Sequence, residues 1–504
     1  MLVKSEQDAI QSFLADASNL AGGHASRVIL PESSEEVAEA LARASRERTP
    51  VTVAGAGTGI VGGRVPFGGV VLSTERLNRV VEVVREDGGG RATVGAGVVL
   101  SDLQREARAR GLLYPPDPTE SSCYIGGTVA TNASGARTFK YGPTRKYVRR
   151  LKVALATGDV LDLRRGEIYA DGEGRLRVPL DGGRMIEARL PSFAMPSTRK
   201  HAAGYYVAKG MDLVDLFVGS EGTLGVVTEV EVSLLPLPEG VLAGVVFFLE
   251  EESLLSFVRE ARERSLRTRE SARESVAAGL DARALEYFDA EALSFLRERY
   301  PLVPARAAGA VFFEQETTEE TEEALMGEWL GLVEDHGALA DESWFGTNEH
   351  DRAEMRAFRH ALPVMVNEWL ARHGRRKVST DMAVPDAAFP EMLRFYKETL
   401  RASRLAYVIF GHIGDNHVHV NILPSDDLEQ LAARDTYARF VERAVRLGGT
   451  VSAEHGVGKI KREYLRALYG ERHLREMAEL KRAFDPACVL GRGNIFAEEF
   501  LGKG

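Results

Sequence analysis

The chain has 504 residues, 44% of them hydrophobic and 27% charged, with a formal net charge of -10. That length calls for more than one packed region, and the acid excess argues against nucleic acid as a main partner, because phosphate binding needs a basic face. Two cysteines, Cys123 and Cys488, can neither ligate an iron–sulfur cluster nor build a disulfide framework, so a reducing, cytoplasmic setting is expected.

No apolar h-region opens the chain, and no run approaches the ~20 apolar residues of a membrane span. A homodimer and a peripheral membrane contact are both compatible with this composition. In chain order, Ser33 and Glu36 have capping-box spacing ahead of an apolar stripe of Val37, Ala38, Leu41 and Ala44, which predicts a helix. Strands are predicted at 51–54, 70–73, 80–84 and through RATVGAGV, and a β-rich texture runs to about Pro238. From Glu250 to Tyr300 the chain is charged and Gly-poor and reads as helical. Strand-like patches return at 310–313 and 407–410 between helices, so an α+β second domain is expected.

The run AGAGTGIVGG (54–63) contains a literal G-x-G-x-x-G at Gly57, Gly59 and Gly62. A dinucleotide fingerprint needs a helix opening directly after the loop, whereas this loop runs on through Arg64-Val-Pro-Phe-Gly-Gly into another strand. A Rossmann turn is therefore disfavoured. Bare backbone can still approach an anion closely through its N–H groups, although the loop alone reads equally as a tight turn. Two further segments, PPDPTESSCYIGGTVATNASGARTFKYG and DLFVGSEGTLGVVTE, are equally dense in small and hydroxyl residues. Three such loops in one domain suit a long ligand threaded along backbone, as FAD is.

In the second half, VIFGHIGDNHVHVNILP and VSAEHGVGKIKREYL concentrate imidazoles and acid. Gly414-Asp415-Asn416 is turn chemistry between apolar runs, which predicts strand–turn–strand with His412 ending the first strand. Period-two alternation puts His417, His419 and Asn421 on one face of the second. Two imidazoles and a later carboxylate form a set that zinc, manganese or iron would accept. An isolated strand histidine is ordinarily a hydrogen-bonded structural residue, but three fall within eight positions of a chain that holds 11.

In order and spacing, the three small-residue segments resemble the FAD domain of the vanillyl-alcohol oxidase/p-cresol methylhydroxylase superfamily. Across about 25–498 the chain looks most like the branch of D-lactate dehydrogenases, glycolate oxidase D subunits and D-2-hydroxyglutarate dehydrogenases. The resemblance implies a two-subdomain FAD domain over 1–240, an α+β cap domain with an antiparallel sheet over 241–474, and a C-terminal segment, 475–504, that returns to the FAD domain. It implies FAD contacts from Gly55, Gly57, Thr58, Gly59 and Gly62, then from Pro116, Ser122, Gly126, Gly127, Asn132, Ser134 and Gly135, and finally from Glu221, Gly222 and Val226. Some relatives tether the flavin to a His in the first loop. Here that position is Gly57, so non-covalent FAD is expected. The family's Asn-Pro-Gly-Lys turn is replaced by Gly491-Arg-Gly-Asn494.

By the same resemblance, His412, His419 and Glu454 hold a divalent metal, zinc ahead of manganese or iron, and His455 is the general base, for which a second metal ligand or a structural His are the alternatives. Arg359 and Lys377 take the substrate carboxylate, and Asn421 touches substrate. The implied reaction oxidises a small 2-hydroxy acid (D-lactate, glycolate or D-2-hydroxyglutarate type) to the 2-keto acid by hydride transfer to the flavin. A separate acceptor, a quinone, cytochrome or electron-transfer flavoprotein, then takes the electrons. The rival readings are the flavin subunit of a multi-subunit glycolate oxidase-like complex, a non-redox enzyme like alkylglycerone-phosphate synthase, and a metal-dependent hydrolase or binding protein without flavin.

Overall fold

The structure is a computed structural model that describes residues 1–271 and 279–502. Strands β1 (Leu2–Lys4), β2 (Arg27–Leu30), β3 (Val51–Ala54) and β4 (Val70–Ser73) form a sheet in the order β1-β2-β4-β3, parallel except at the β1–β2 edge. The helix Ser34–Arg46 links β2 to β3. Its Ser33 cap accepts the Glu36 N–H at 3.3 Å, and the buried stripe includes Val37, Ala38, Leu41 and Ala44, as the spacing predicted. Glu35 and Glu36 in its first turn and Arg43 and Arg46 in its last suit the helix dipole.

A second, antiparallel sheet contains β5 (Val80–Glu86), β6 (Gly89–Gly95), β7 (Leu112–Leu113), β8 (Val148–Ala154) and β9 (Val160–Arg164), while β10 (Arg175–Pro179) and β11 (Met185–Arg189) pair as a separate hairpin. The long β12 (Val226–Pro236) is its centre, giving the order β5-β6-β12-β8-β9 with β7 beside the end of β12. β12 therefore returns from the GSEGTLG segment straight into the middle of this sheet.

The third sheet is antiparallel throughout. It consists of β13 (Gly240–Phe248), β14 (Ala282–Asp289), β15 (Gly309–Thr317), β16 (Trp344–Gly346), β17 (Val378–Ser379), β18 (Tyr407–Gly411) and β19 (His419–Ile422), in the order β16-β13-β15-β14-β18-β19-β17. The helical reading of 250–300 needs correction here. Helices do occupy Glu251–Ser271 and Ala290–Arg297, but β14 lies between them, and 272–278 lie outside the described residues. ARALEYFD has helix-forming residues, yet every one of its eight positions is buried between β15 and β18. Burial in the sheet overrides local propensity.

Two ties join these layers. Glu314 on β15 receives Arg283 Nε at 2.8 Å and Arg137 Nε at 3.0 Å, the latter from the segment after Asn132. At the far end of the chain, the Val51 N–H donates to Val489 O at 2.8 Å and the Gly491 N–H to Val51 O at 2.9 Å, so the C-terminal stretch closes along β3.

Candidate active site

A cavity of about 700 Å³ runs from the glycine loops to the seven-stranded sheet. Gly55, Gly57, Thr58 and Gly59 line one part of it, joined by Gly126, Gly127, Ser134, Glu221, Gly222 and Val226. Arg359, Lys377, His412, His419, Glu454 and His455 line the same space. Backbone forms the cradle wall because side chains would fill it. A Cβ built on Gly59 or Gly127 meets no protein atom within 4 Å, so a side chain there would stand in the cavity. Gly126 has the opposite constraint, its Cβ falling 2.6 Å from that of Ala96. At Gly57, φ is +86° and an added Cβ would lie 2.7 Å from the Arg64 guanidinium, which is held by Gly55 O at 2.6 Å.

Gly62, Pro116, Ser122, Asn132 and Gly135 lie off this wall, and each has another task or position. Gly62 turns the loop at φ +72° against Leu20. Pro116 is buried, and Ser122 is exposed and bonded to Glu120. Asn132 (φ +49°) accepts the Arg145 N–H at 3.0 Å, and Gly135 passes so close to Asp117 O that a Cβ would sit 2.1 Å away. Asn421 is also off the wall. It is fully buried on β19, donates to His419 O at 3.4 Å and leaves Oδ1 without a partner among the described residues.

The replaced C-terminal turn does reach the cradle. Asn494 lines the cavity, donates to Gly63 O at 2.9 Å and accepts Lys459 Nζ at 2.7 Å. Glu221 (φ +53°) receives the Val457 and Gly458 N–H groups, both at 2.7 Å, and so fixes the loop that follows His455. Burial raises its pKa to about 7, against those two donors.

At the other end, Glu454 Oε1 lies 3.3 Å from His412 Nε2 and 3.2 Å from His419 Nε2. These three side chains are at most 11% exposed. His419 Nδ1 faces the Thr380 carbonyl at 2.9 Å. A carbonyl only accepts, so the ring proton sits on Nδ1 and the Nε2 lone pair points at Glu454. His412 Nδ1 is fixed likewise by Glu286 Oε1 at 2.7 Å. With both rings neutral, two imidazole lone pairs and a carboxylate oxygen converge, which is the donor set a divalent cation satisfies; burial opposes a second proton on His412, but the Glu286 and Glu454 charges raise its pKa. The other Glu454 oxygen is neutralised by the fully buried Lys200 at 3.1 Å and by Ser134 Oγ at 3.2 Å.

His455 is a quarter exposed toward the cavity, and its Nδ1 lies 3.1 Å from Asp381 Oδ2, which leaves Nε2 unprotonated in the neutral ring. Asp381 is a buried hub. It accepts the Glu454 and His455 N–H groups at 3.2 and 3.1 Å, Ser452 Oγ at 2.7 Å and Lys461 Nζ at 2.6 Å. Burial opposes its ionisation, but His455, Lys461 and His417 hold its pKa well below the ordinary carboxylate range.

Glu286, Asp381 and Lys200 are absent from the sequence reading. Glu286 was hidden because β14 reads as helix, yet one carboxylate holds both His412 and Arg359, the latter through Nε at 3.0 Å and Nη2 at 2.9 Å. Asp381 and Lys200 stand singly in unremarkable sequence; only the sheet brings Asp381 under the EHG loop. Lys377 faces the cavity, where desolvation lowers its pKa.

A model of the C-terminal domain of FAD linked oxidases matches residues 268–495, and one of an FAD binding domain matches 25–164. The chain is 31% identical to the glycolate oxidase subunit GlcD of Bacillus subtilis (strain 168), over 94% of this chain and 89% of that protein. It is 30% identical to a D-lactate dehydrogenase of Archaeoglobus fulgidus, over 93% and 90% of the two chains. A D-2-hydroxyglutarate dehydrogenase of Xanthomonas citri pv. viticola is 31% identical over 93% and 89%. Among solved structures, an alkyldihydroxyacetonephosphate synthase superposes with a TM-score of 0.66, covering 97% of this chain and 81% of that one. At 15% identity this last likeness shows the fold alone.

Proposed function

The chain belongs to the FAD-linked oxidases, as an oxidoreductase of their hydroxyacid branch, and from that premise we propose that it oxidises a small 2-hydroxy acid to the 2-keto acid with a divalent cation and a histidine base. The observation that carries this reading is one continuous cavity that joins the glycine cradle to the His–Glu cluster. FAD held without a covalent tether would supply the hydride acceptor, and a cation such as zinc, manganese or iron at His412, His419 and Glu454 would polarise the substrate hydroxyl.

The chain's own groups do the positioning. The Arg359 guanidinium is locked by Glu286 through Nε and Nη2, and its Nη1, which lies 3.1 Å from His360 Nε2, turns to the substrate carboxylate, while Lys377 adds a positive charge from the wall. His455 Nε2 accepts the hydroxyl proton as the α-hydrogen leaves, and the carboxylate of Asp381 keeps the proton on Nδ1 and stabilises the imidazolium that forms. Asn421 acts from behind, through the β19 backbone next to His419. The electrons then pass to a separate acceptor. No helix among the described residues is long and apolar enough to cross a membrane.

His455→Ala tests the base. In the flavin-loaded protein it should slow anaerobic flavin reduction by substrate about 10²–10⁴-fold. An unchanged rate would remove His455 from the role. The subunit name of the Bacillus relative supports a second reading, in which this chain passes electrons only within a larger oxidase. Flavin reduced by substrate but never reoxidised by added quinones or cytochromes would favour that one.

A further inference from the structure

His417 is the one imidazole of the cluster with no assigned task. It precedes β19, after Asn416 turns the chain at φ +53°, and it is 0% exposed. Its ring centre lies 4.5 Å from that of His419 and 5.4 Å from that of His412. Neither ring nitrogen has a hydrogen bond among the described residues. The nearest polar atom, Asp381 Oδ1, is 3.2 Å from Nε2 but off the line that a hydrogen bond requires.

A buried neutral imidazole has two demands, an acceptor for its N–H and a donor or cation for its lone pair, and leaving them unmet is costly. Asp381 Oδ1 meets the first demand after a small rotation of the ring. For the second, the cluster around it consists of His412 Nε2, His419 Nε2 and a Glu454 oxygen, which together form the donor set of a cation. One ligand atom each from His412, His417, His419 and Glu454 falls within 4.8 Å of the others. Two ligands of one ion sit at most twice a bond of ~2.0–2.2 Å apart, so a sub-ångström contraction brings all four onto a common centre.

We propose that His417 is the fourth protein ligand, which turns the expected two-His, one-Glu site into three imidazoles and one carboxylate. The inference rests on the metal reading above. Asp381 then orients two rings at once, His417 on the metal and His455 beside it, an outer-shell carboxylate shared between binding and proton transfer. A nitrogen-rich set of this kind favours zinc, iron or cobalt over manganese. It leaves one position for the substrate hydroxyl if coordination expands to five.

The test is zinc K-edge X-ray absorption on the flavin-loaded protein reconstituted with one equivalent of Zn²⁺, with zinc affinity measured by competition against a chromophoric chelator. The wild type should show three imidazoles. His417→Gln should show two and bind zinc about 100-fold more weakly, at or beyond the top of the tenfold-to-hundredfold loss that an outer-shell change brings. His455→Ala should keep three. Two imidazoles in the wild type, or a third that vanishes with His455 and not with His417, would overturn the proposal. Should His417→Gln fail to fold, the wild-type and His455→Ala counts still decide. Failure to take up any divalent cation would overturn the metal reading and this one together, whereas zinc bound through two imidazoles overturns only this one.

Discussion

Asp381→Asn is the substitution whose consequences the structure fixes most closely. The amide has one acceptor oxygen where the carboxylate has two. On the Oδ2 side stand Ser452 Oγ (2.7 Å), Lys461 Nζ (2.6 Å), the His455 N–H and His455 Nδ1 (both 3.1 Å); on the Oδ1 side stand the Glu454 N–H and His417 Nε2, both at 3.2 Å. The amide nitrogen therefore settles at the Oδ1 position, where it faces two groups instead of four and leaves the Glu454 N–H without an acceptor. That orphaned N–H costs about 1–3 kcal/mol. The larger loss is the charge facing Lys461, which is 6% exposed, because removing one partner of a buried ion pair costs about 3–5 kcal/mol. The His455 tautomer survives, but its imidazolium loses the facing carboxylate. We expect a holoprotein several kcal/mol less stable in urea and a rate of anaerobic flavin reduction, measured by stopped flow per bound flavin at saturating hydroxy acid, lower by about 10²-fold, the low end of a general base's contribution. A rate within about threefold of wild type would refute Asp381 as the support of the base.

Gly127→Leu should separate cofactor binding from folding, since Gly127 lines the cavity and a Cβ there meets nothing outside its own helix within 4 Å; the purified variant should carry little flavin, with an apoprotein unfolding midpoint no lower than that of wild-type apoprotein. Glu314→Gln leaves Arg137 and Arg283 buried without their shared anion, which should cost about 3–5 kcal/mol in denaturant unfolding. Burial opposes the Glu314 charge, but the two arginines depress its pKa far below the ordinary range, so its contribution is complete above the unfolded carboxylate value of ~4.3 and is lost as pH falls below it. Wild-type stability should accordingly fall more steeply than that of Glu314→Gln on acidification below about pH 5, and parallel pH profiles would contradict the assignment. Removing metal with a chelator should abolish flavin reduction by substrate yet leave flavin bound, because the cluster and the cradle belong to different segments; zinc or manganese should restore the rate.

The cradle was readable because backbone approach demands glycine, and three glycine-dense segments announce themselves in sequence. What failed there was resolution within each segment. Gly62, Asn132 and Gly135 have the composition of the cradle but serve its turns, through positive φ or close packing, and residue type alone does not separate the two uses. The histidine cluster was visible in sequence through its density around the turn at 414–416, but period-two spacing does not place it: β19 begins at His419, so His417 precedes the strand, and Asn421 lies off the cavity wall. Glu286 was not visible, because helix propensity in ARALEYFD hides a strand that only burial between β15 and β18 creates. Asp381 reaches the EHG loop with its side-chain carboxylate, which accepts the Glu454 N–H across 73 positions, a separation at which sequence carries no local signal.

The central claim is that a 2-hydroxy acid delivers its hydride to a flavin held in this cavity. It is tested by mixing the flavin-loaded protein anaerobically with a panel of D- and L-2-hydroxy acids, among them lactate, glycolate and 2-hydroxyglutarate, and following the visible absorbance of the bound flavin. One acid should bleach the flavin fully and yield one equivalent of the 2-keto acid per flavin. A flavin that dithionite reduces but that every acid in the panel leaves oxidised would contradict the account.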